Sequence, residues 1–71
     1  MGQLLIRKRR IDKDWTLDHV SRNVGLTKTA VHDIETGRRK PSFNILLKLC
    51  KLYQVDHEEV EQLFAVAADA Q

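Results

Sequence analysis

The spacing of apolar residues is the feature of this sequence that most restricts its fold. Along nearly the whole chain, apolar side chains recur at intervals of three and four positions, and no alternating run is bounded by hairpin turns. An interval of three or four matches one face of an α-helix. The sequence therefore predicts an all-α protein with five helices and no strand.

Capping residues divide this pattern into separate helices. Thr16, Thr27 and Ser42 each precede an apolar run, where a hydroxyl oxygen can accept a backbone N–H. Gly25 and Gly37 each follow one, where glycine can adopt the positive φ that ends a helix. Asp56 and Glu59 resemble a capping box that opens the last helix. The predicted helices are residues 3–12, 17–24, 28–36, 43–53 and 57–70.

The apolar positions of these helices form the predicted core. The fourth helix has the widest apolar face and is predicted to be central. The last helix carries a stripe that exceeds what a small core needs. The predicted apolar positions are Leu4, Ile6, Ile11, Val20, Val24, Ala30, Val31, Ile34, Phe43, Leu46, Leu47, Leu49, Cys50, Tyr53, Val60, Leu63, Phe64, Ala67 and Ala68.

Length and composition limit the function. With 71 residues, 42% apolar and 31% charged, the chain suits one folded domain but no cleft between two lobes. The single cysteine, Cys50, cannot form an intramolecular disulfide and is expected to be a small buried side chain, which fits a reducing cytoplasm. No membrane span or signal peptide is apparent in the sequence. A cytoplasmic protein is therefore expected.

Charge is distributed unevenly along the chain. Residues 1–40 contain ten Lys or Arg against five acids, a net of +5, whereas residues 41–71 contain two against five, a net of −3. A surface that binds a polyanion is therefore expected in the first forty residues.

Residues for catalysis or metal binding are not apparent. The three histidines have no recognised ligand spacing, and the stretch HEEVE begins like the zinc motif HExxH but has Glu61 in place of the second histidine. Neither a catalytic triad nor a Gly-rich phosphate loop is present. The sequence therefore predicts no enzyme, no cofactor and no metal.

Two short helices joined by a glycine turn form a predicted helix-turn-helix between residues 16 and 36. Over about residues 4 to 60, the chain resembles the phage-repressor/Cro family of helix-turn-helix regulators, also called the XRE family. The residues that carry the resemblance are Thr16, Val20, Ser21, Val24, Gly25, Leu26, Val31, Ile34, Glu35, Gly37, Pro41 and Ser42, followed by FNILLKLCKLY.

The resemblance implies a five-helix, lambda-repressor-like fold whose third helix enters the major groove of DNA. Carried over by position, the base-reading candidates are Lys28, Thr29, His32 and Asp33, which the periodicity also turns outward. Lys28 can donate to guanine, Thr29 can contact thymine, and Asp33 can accept from cytosine. His32 can contact a base or a phosphate. The alternative is that these side chains form only a solvated surface.

Cations after the third helix are candidates for phosphate contacts. A loop that leaves a recognition helix passes the sugar-phosphate backbone, where cations add affinity without reading sequence. The alternative is a merely solvated loop. The resemblance also implies phosphate contacts at the start of the second helix. The candidates for phosphate contacts are Thr16, Arg22, Thr27, Arg38, Arg39 and Lys40, with Lys28 as a further one.

The resemblance also implies structural roles and departures from the family pattern. It implies an internal ion pair between Arg10 and Glu35 and a core position for Trp15. Leu17 replaces a glutamine that often touches DNA, so that contact is missing or replaced by packing, and the small Ser21 replaces the usual alanine at the helix-helix crossing. Asp33 brings negative charge towards phosphates unless a cytosine or a cation such as Arg38 compensates.

Two hypotheses of function follow. The first is a bacterial or phage transcription regulator, most simply a repressor, that binds double-stranded DNA as a homodimer on a palindromic operator. The second is a protein-interaction module of the same fold, antitoxin-like or the target of an anti-repressor, that binds a protein partner through its last helix. For either, the interface candidates are Val60, Leu63, Phe64 and Ala67; the alternative is that the last helix only closes its own core.

Overall fold

The computed structural model describes residues 4–66. This part of the chain is all-α, apart from an isolated antiparallel bridge between Leu4 and Val66. The predicted fold class is confirmed. The helices are α1 (Leu5–Asp12), α2 (Leu17–Val24), α3 (Lys28–Glu35), α4 (Phe43–Tyr53) and α5 (Glu61–Phe64), with a 3-10 turn (His57–Glu59) before α5.

Three side chains cap helices as the sequence predicts. The Oγ1 of Thr16 accepts the backbone N–H of His19 at 3.0 Å. Thr27 and Ser42 accept the N–H three residues on in the same way, at 3.1 and 3.3 Å. Each cap satisfies one of the N–H groups that a helix start leaves unpaired. The starts of α2, α3 and α4 are therefore set by local sequence.

Gly25 ends α2 and turns the chain into α3. Its φ is +76°, and its N–H donates to the carbonyl of Ser21 at 2.9 Å. The N–H of Leu26 donates to the same carbonyl at 3.0 Å. A side chain at position 25 would oppose this left-handed conformation, so glycine suits the tight turn between the two helices.

The core gathers side chains from all five helices. It includes Glu35, which is 1% exposed, among the apolar residues. Burial and the nearby Asp56 carboxylate raise the pKa of the Cys50 thiol, so the thiol stays protonated and packs as a small apolar group. The buried apolar residues are Ile6, Val20, Val24, Ala30, Val31, Ile34, Leu49, Cys50, Tyr53, Val55 and Leu63.

Three predicted core residues are exposed instead. Ile11 is 48% exposed, Phe43 67% and Leu47 38%. Ile11 is five positions from Ile6, which places it about 140° around α1 from the buried side. Phe43 and Leu47 lie beyond the arc of α4, about 100° wide, that the small core covers. The prediction that the whole apolar face of α4 is buried is therefore wrong.

The last predicted helix is also wrong in extent. The chain forms the 3-10 turn, then α5 ends at Phe64, and Ala65 is extended at φ −73° and ψ 152°. The carbonyl of Ala65 accepts the N–H of Leu5 at 2.8 Å, so pairing with the start of α1 replaces helix continuation. Ala67 and Ala68 lie outside the described residues.

The predicted capping box at the start of this segment is wrong as well. The side chain of Asp56 accepts no capping hydrogen bond. The N–H of Glu59 instead donates to the backbone carbonyl of Asp56 at 2.8 Å, as a 3-10 turn requires.

No helix in residues 4–66 is long and apolar enough to cross a membrane.

Candidate nucleic-acid interface

Helices α2 and α3 pack against each other across the Gly25 turn. From α2, Val20 and Val24 are fully buried, and from α3, Val31 and Ile34 are each 2% exposed. The apolar sides of both helices are thus used in packing. The remaining side of α3 is left to solvent.

The four base-reading candidates all lie on this outer side of α3. Lys28, Thr29 and His32 are exposed, and the side chain of Asp33 is 33% exposed. The structure brings the four together because Ala30, Val31 and Ile34 alternate with them and turn inward. An α-helix with such a polar face has the width that a major groove admits.

Asp33 fixes the loop after α3 through its backbone. Its carbonyl accepts the N–H groups of Arg38 at 2.8 Å and of Arg39 at 3.2 Å. Its carboxylate lies 3.8 Å from Nδ1 of His32, and within the described residues it forms no salt bridge with Arg38. In the protein without DNA, the Arg38 side chain therefore does not compensate the negative charge of the Asp33 carboxylate.

The cationic loop begins at Gly37, whose φ is +82°. Arg38, Arg39 and Lys40 are all exposed, and among the described residues none of the three forms an ion pair. Three unpaired cations directly after the polar face of α3 form a local positive surface. Such a surface suits the phosphates that flank a groove.

The remaining candidates for phosphate contacts, on α2 and at the start of α3, are already engaged. The hydroxyls of Thr16 and Thr27 accept capping hydrogen bonds, although both residues are exposed. Arg22 Nε lies 2.9 Å from Asp18 Oδ2, with side chains 79% and 45% exposed. An ion pair this exposed contributes little, so Arg22 can exchange Asp18 for a phosphate at small cost.

Two departures from the family pattern have structural explanations. Leu17 packs against the hydrophobic core, so packing takes the place of a polar contact at that position. Ser21 is buried, and its hydroxyl donates to the carbonyl of Asp18 at 2.8 Å. The α2–α3 crossing therefore accepts a small polar side chain without leaving its hydroxyl unpaired.

Arg10 and Glu35 form an internal ion pair between α1 and the end of α3. Arg10 Nε lies 2.8 Å from Glu35 Oε2, with side chains 11% and 1% exposed. Tyr53 is buried beside them, and desolvation, reinforced by the Glu35 carboxylate, raises the pKa of its hydroxyl far above the ordinary value. The pair supports the position of α3 without facing the solvent side of that helix.

Trp15 packs between helices, as the resemblance implies. Its ring centroid lies 4.8 Å from that of His19 in α2 and 5.4 Å from that of Tyr53 in α4. Lys13 Nζ lies 5.2 Å above the ring. The residue is partly buried and joins the α1–α2 connection to α4.

The interface candidates of the C-terminal segment differ in how far they are buried. Leu63 is fully buried in its own core, and its role at an interface stays a prediction. Val60 and Phe64 are partly buried and line a surface groove. Ala67 lies outside the described residues.

Sequence reasoning missed two features near the site. The Asp18–Arg22 pair has the i, i+4 spacing that signals a helix-surface ion pair. Lys48 lies beside the α2–α3 turn, where a Cβ added to Gly25 would be 4.0 Å from Lys48 Nζ. No sequence pattern links α4 to that turn, because the approach is tertiary.

Solved structures with the same fold include three regulators. The restriction-modification controller protein C.AhdI from Aeromonas hydrophila is 25% identical, with a TM-score of 0.70 over 79% of this chain and 85% of that one. The clp gene regulator ClgR from Corynebacterium glutamicum is 23% identical, with a TM-score of 0.70 over 79% of this chain and 60% of ClgR. The hypothetical transcription factor NHTF from Neisseria is 23% identical, with a TM-score of 0.69 over 84% of this chain and 66% of NHTF.

Sequence comparison leads to the same family. No curated protein matches the chain. The model of the helix-turn-helix domain matches residues 4–63, which spans almost the whole described structure. The resemblance to phage-repressor-type helix-turn-helix proteins is thereby confirmed, and the chain belongs to the helix-turn-helix domain family.

Proposed function

We propose that this protein is a sequence-specific DNA-binding regulator of transcription. The observation that carries the proposal is the position of an exposed polar face on α3 directly before three unpaired cations in the next loop. Among the similar proteins, ClgR is named as a clp gene regulator and C.AhdI as a restriction-modification controller protein. Membership of the helix-turn-helix family supports the same assignment.

The two surfaces have different tasks. Lys28, Thr29, His32 and Asp33 read base edges, since their donors and acceptors can distinguish base pairs in the major groove. The cations Arg38, Arg39 and Lys40, with Arg22 and the helix starts at Thr16 and Thr27, hold phosphates and position α3. Binding then weakens steeply as salt increases.

The proposed regulator acts as a homodimer in the cytoplasm of a bacterium or of a phage-infected cell. A two-fold dimer places two α3 helices in half-sites one helical turn apart, about 34 Å, and a palindromic operator matches that symmetry. Val60 and Phe64 are candidates for an interface with a second copy or with a protein partner. Resemblance to phage repressors favours repression as the sign of regulation.

The test is selection of the purified protein on randomised duplex DNA at about 150 mM salt, followed by sequencing. A palindromic motif with a fixed centre-to-centre spacing is expected. Circular dichroism on the same sample verifies that the protein is folded. A folded protein that enriches no motif would refute sequence-specific binding and leave partner binding as the function.

A further inference from the structure

An open apolar groove lies between the loop after α3, helix α4 and the C-terminal segment. It encloses about 400 Å³, and its apolar wall includes Pro41, Leu46, Val60 and Phe64. The exposed residues Arg39 and Lys40 line it on one side. The groove is therefore a hydrophobic surface with a positively charged edge.

Apolar surface continues from the groove along α4. Phe43 is 67% exposed and Leu47 is 38% exposed. Phe43 is the helix neighbour of both Leu46 and Leu47, because residues three and four apart on a helix lie on the same side. Exposed aromatic and aliphatic side chains that continue from a groove form an apolar patch, and such patches are typical of protein contacts.

Charge identifies the occupant. Among the described residues that line the groove, the charged ones are both cations, Arg39 and Lys40. A second copy that docked through α4 would bring no carboxylate from that helix to these cations, since α4 carries no acid. We propose that the groove binds an amphipathic segment of a partner protein whose apolar side chains fill the groove and whose carboxylates pair with Arg39 and Lys40.

Partner binding and DNA binding share the same cations. Arg39 and Lys40 are proposed phosphate contacts, so a bound acidic segment occupies them and adds negative charge near the DNA surface. Partner and DNA therefore compete, which makes the groove a site of control. This consequence rests on the proposed DNA-binding function, whereas occupation of the groove does not.

The test uses the full chain without DNA and a phage-displayed library of random peptides of about 12 residues, roughly three helical turns. Enriched peptides are expected to combine Leu or aromatic residues with Asp or Glu. A fluorescent copy of the most enriched peptide is then titrated by anisotropy. We expect Val60→Ser and Lys40→Glu each to weaken its binding about tenfold.

Lys51→Glu is the matched control for Lys40→Glu. It makes the same charge change at an exposed lysine that lines a different surface pocket, with Asn23 and Lys48. Binding of the peptide to Lys51→Glu is expected to stay within about twofold. Thermal melts of each variant verify that it remains folded.

Three results would overturn the proposal. The first is no enriched peptide, or peptides rich in cations. The second is equal binding to the wild type and to folded Val60→Ser. The third is a wild-type dimer that Val60→Ser dissociates in sedimentation, which would assign the groove to a second copy.

Competition is tested separately by adding the peptide to the protein–DNA complex. A protein that binds the peptide but no DNA refutes the proposed function alone.

Discussion

Arg10 Nε lies 2.8 Å from Glu35 Oε2, and the same guanidinium donates through Nη1 to the carbonyl of Trp15 at 2.8 Å. The backbone carbonyl of Glu35 also accepts the N–H of Leu4 at 3.2 Å. One residue at the end of α3 is thus held by its side chain and its backbone. This double attachment fixes the end of α3, where the cationic loop begins.

Glu35→Ala is expected to destabilise the fold rather than remove a DNA contact. It leaves the mostly buried Arg10 without its carboxylate partner, which costs about 3–5 kcal/mol in a buried pair. Urea denaturation measures this as a lower free energy of unfolding. The control is Asp18→Ala, which breaks the exposed pair with Arg22 and should cost less than about 1 kcal/mol. Similar losses for the two variants would contradict a structural role for Glu35.

Tyr53 is expected to make stability fall at alkaline pH. Its pKa is raised in the folded protein, first by burial and then by the Glu35 carboxylate. Above the ordinary tyrosine pKa of about 10, the unfolded chain releases a proton that the folded protein retains. The contribution of Tyr53 to the free energy of unfolding is therefore fully present below about pH 10. It decreases as the pH rises above that value.

Tyr53→Phe is the matching control. The Tyr53 hydroxyl has no hydrogen-bond partner in the described part of the chain, so its removal should be nearly neutral at pH 7. The alkaline loss of stability should become smaller in the variant. Tyr53 is the only tyrosine, so tyrosinate absorbance in the wild type reports this group directly. A tyrosinate signal near pH 10 in the folded protein would contradict the prediction.

Gly25→Ala is expected to cost about 1–2 kcal/mol through backbone strain. The φ of +76° disfavours any Cβ, while the nearest side-chain atom, Lys48 Nζ at 4.0 Å, leaves ordinary space for one. Gly37→Ala is the comparison, since its φ is +82° and its surroundings are open. Urea denaturation should give similar losses for both. A much larger loss for Gly25→Ala would indicate a steric clash instead.

Local features of this fold could be predicted from sequence. Thr16, Thr27 and Ser42 act within one turn of helix, and Gly25 acts within its own turn, so a few neighbouring residues determine each. The outward direction of Lys28 and Thr29 follows from helix periodicity in the same way. The Arg10–Glu35 pair, which joins distant residues, is also expected, but from the family resemblance and not from a local pattern.

Two features that depend on distant residues could not be predicted from periodicity or capping residues. The pairing of Leu5 with Ala65 ends α5 early, and no local signal at residues 61–66 indicates it. The exposure of Phe43 and Leu47 depends on how much of α4 a small core can cover. Apolar periodicity marks which side of a helix is favoured but not how wide an arc its neighbours bury.

Leu63→Ala is expected to lower the free energy of unfolding by about 2–5 kcal/mol, because Leu63 is fully buried and the truncation leaves a cavity. Val66→Ala, at a residue 62% exposed, should change it by about 0.5 kcal/mol or less. Urea denaturation compares the two. A folded, stable Leu63→Ala protein that fails to dimerise would assign Leu63 to an interface instead.

Lys40→Ala and Thr29→Ala are expected to change DNA binding in different ways. Lys40 faces phosphates in the proposed complex, so its loss should weaken all sequences alike and reduce the slope of log affinity against log salt by about 1. Thr29 faces bases, so its loss should change the preferred sequence and leave that slope unchanged. Selection on randomised DNA and salt titration measure both effects, with Lys51→Ala as the control for charge. Equal losses on every sequence for Lys40→Ala and Thr29→Ala would contradict the division between reading bases and holding phosphates.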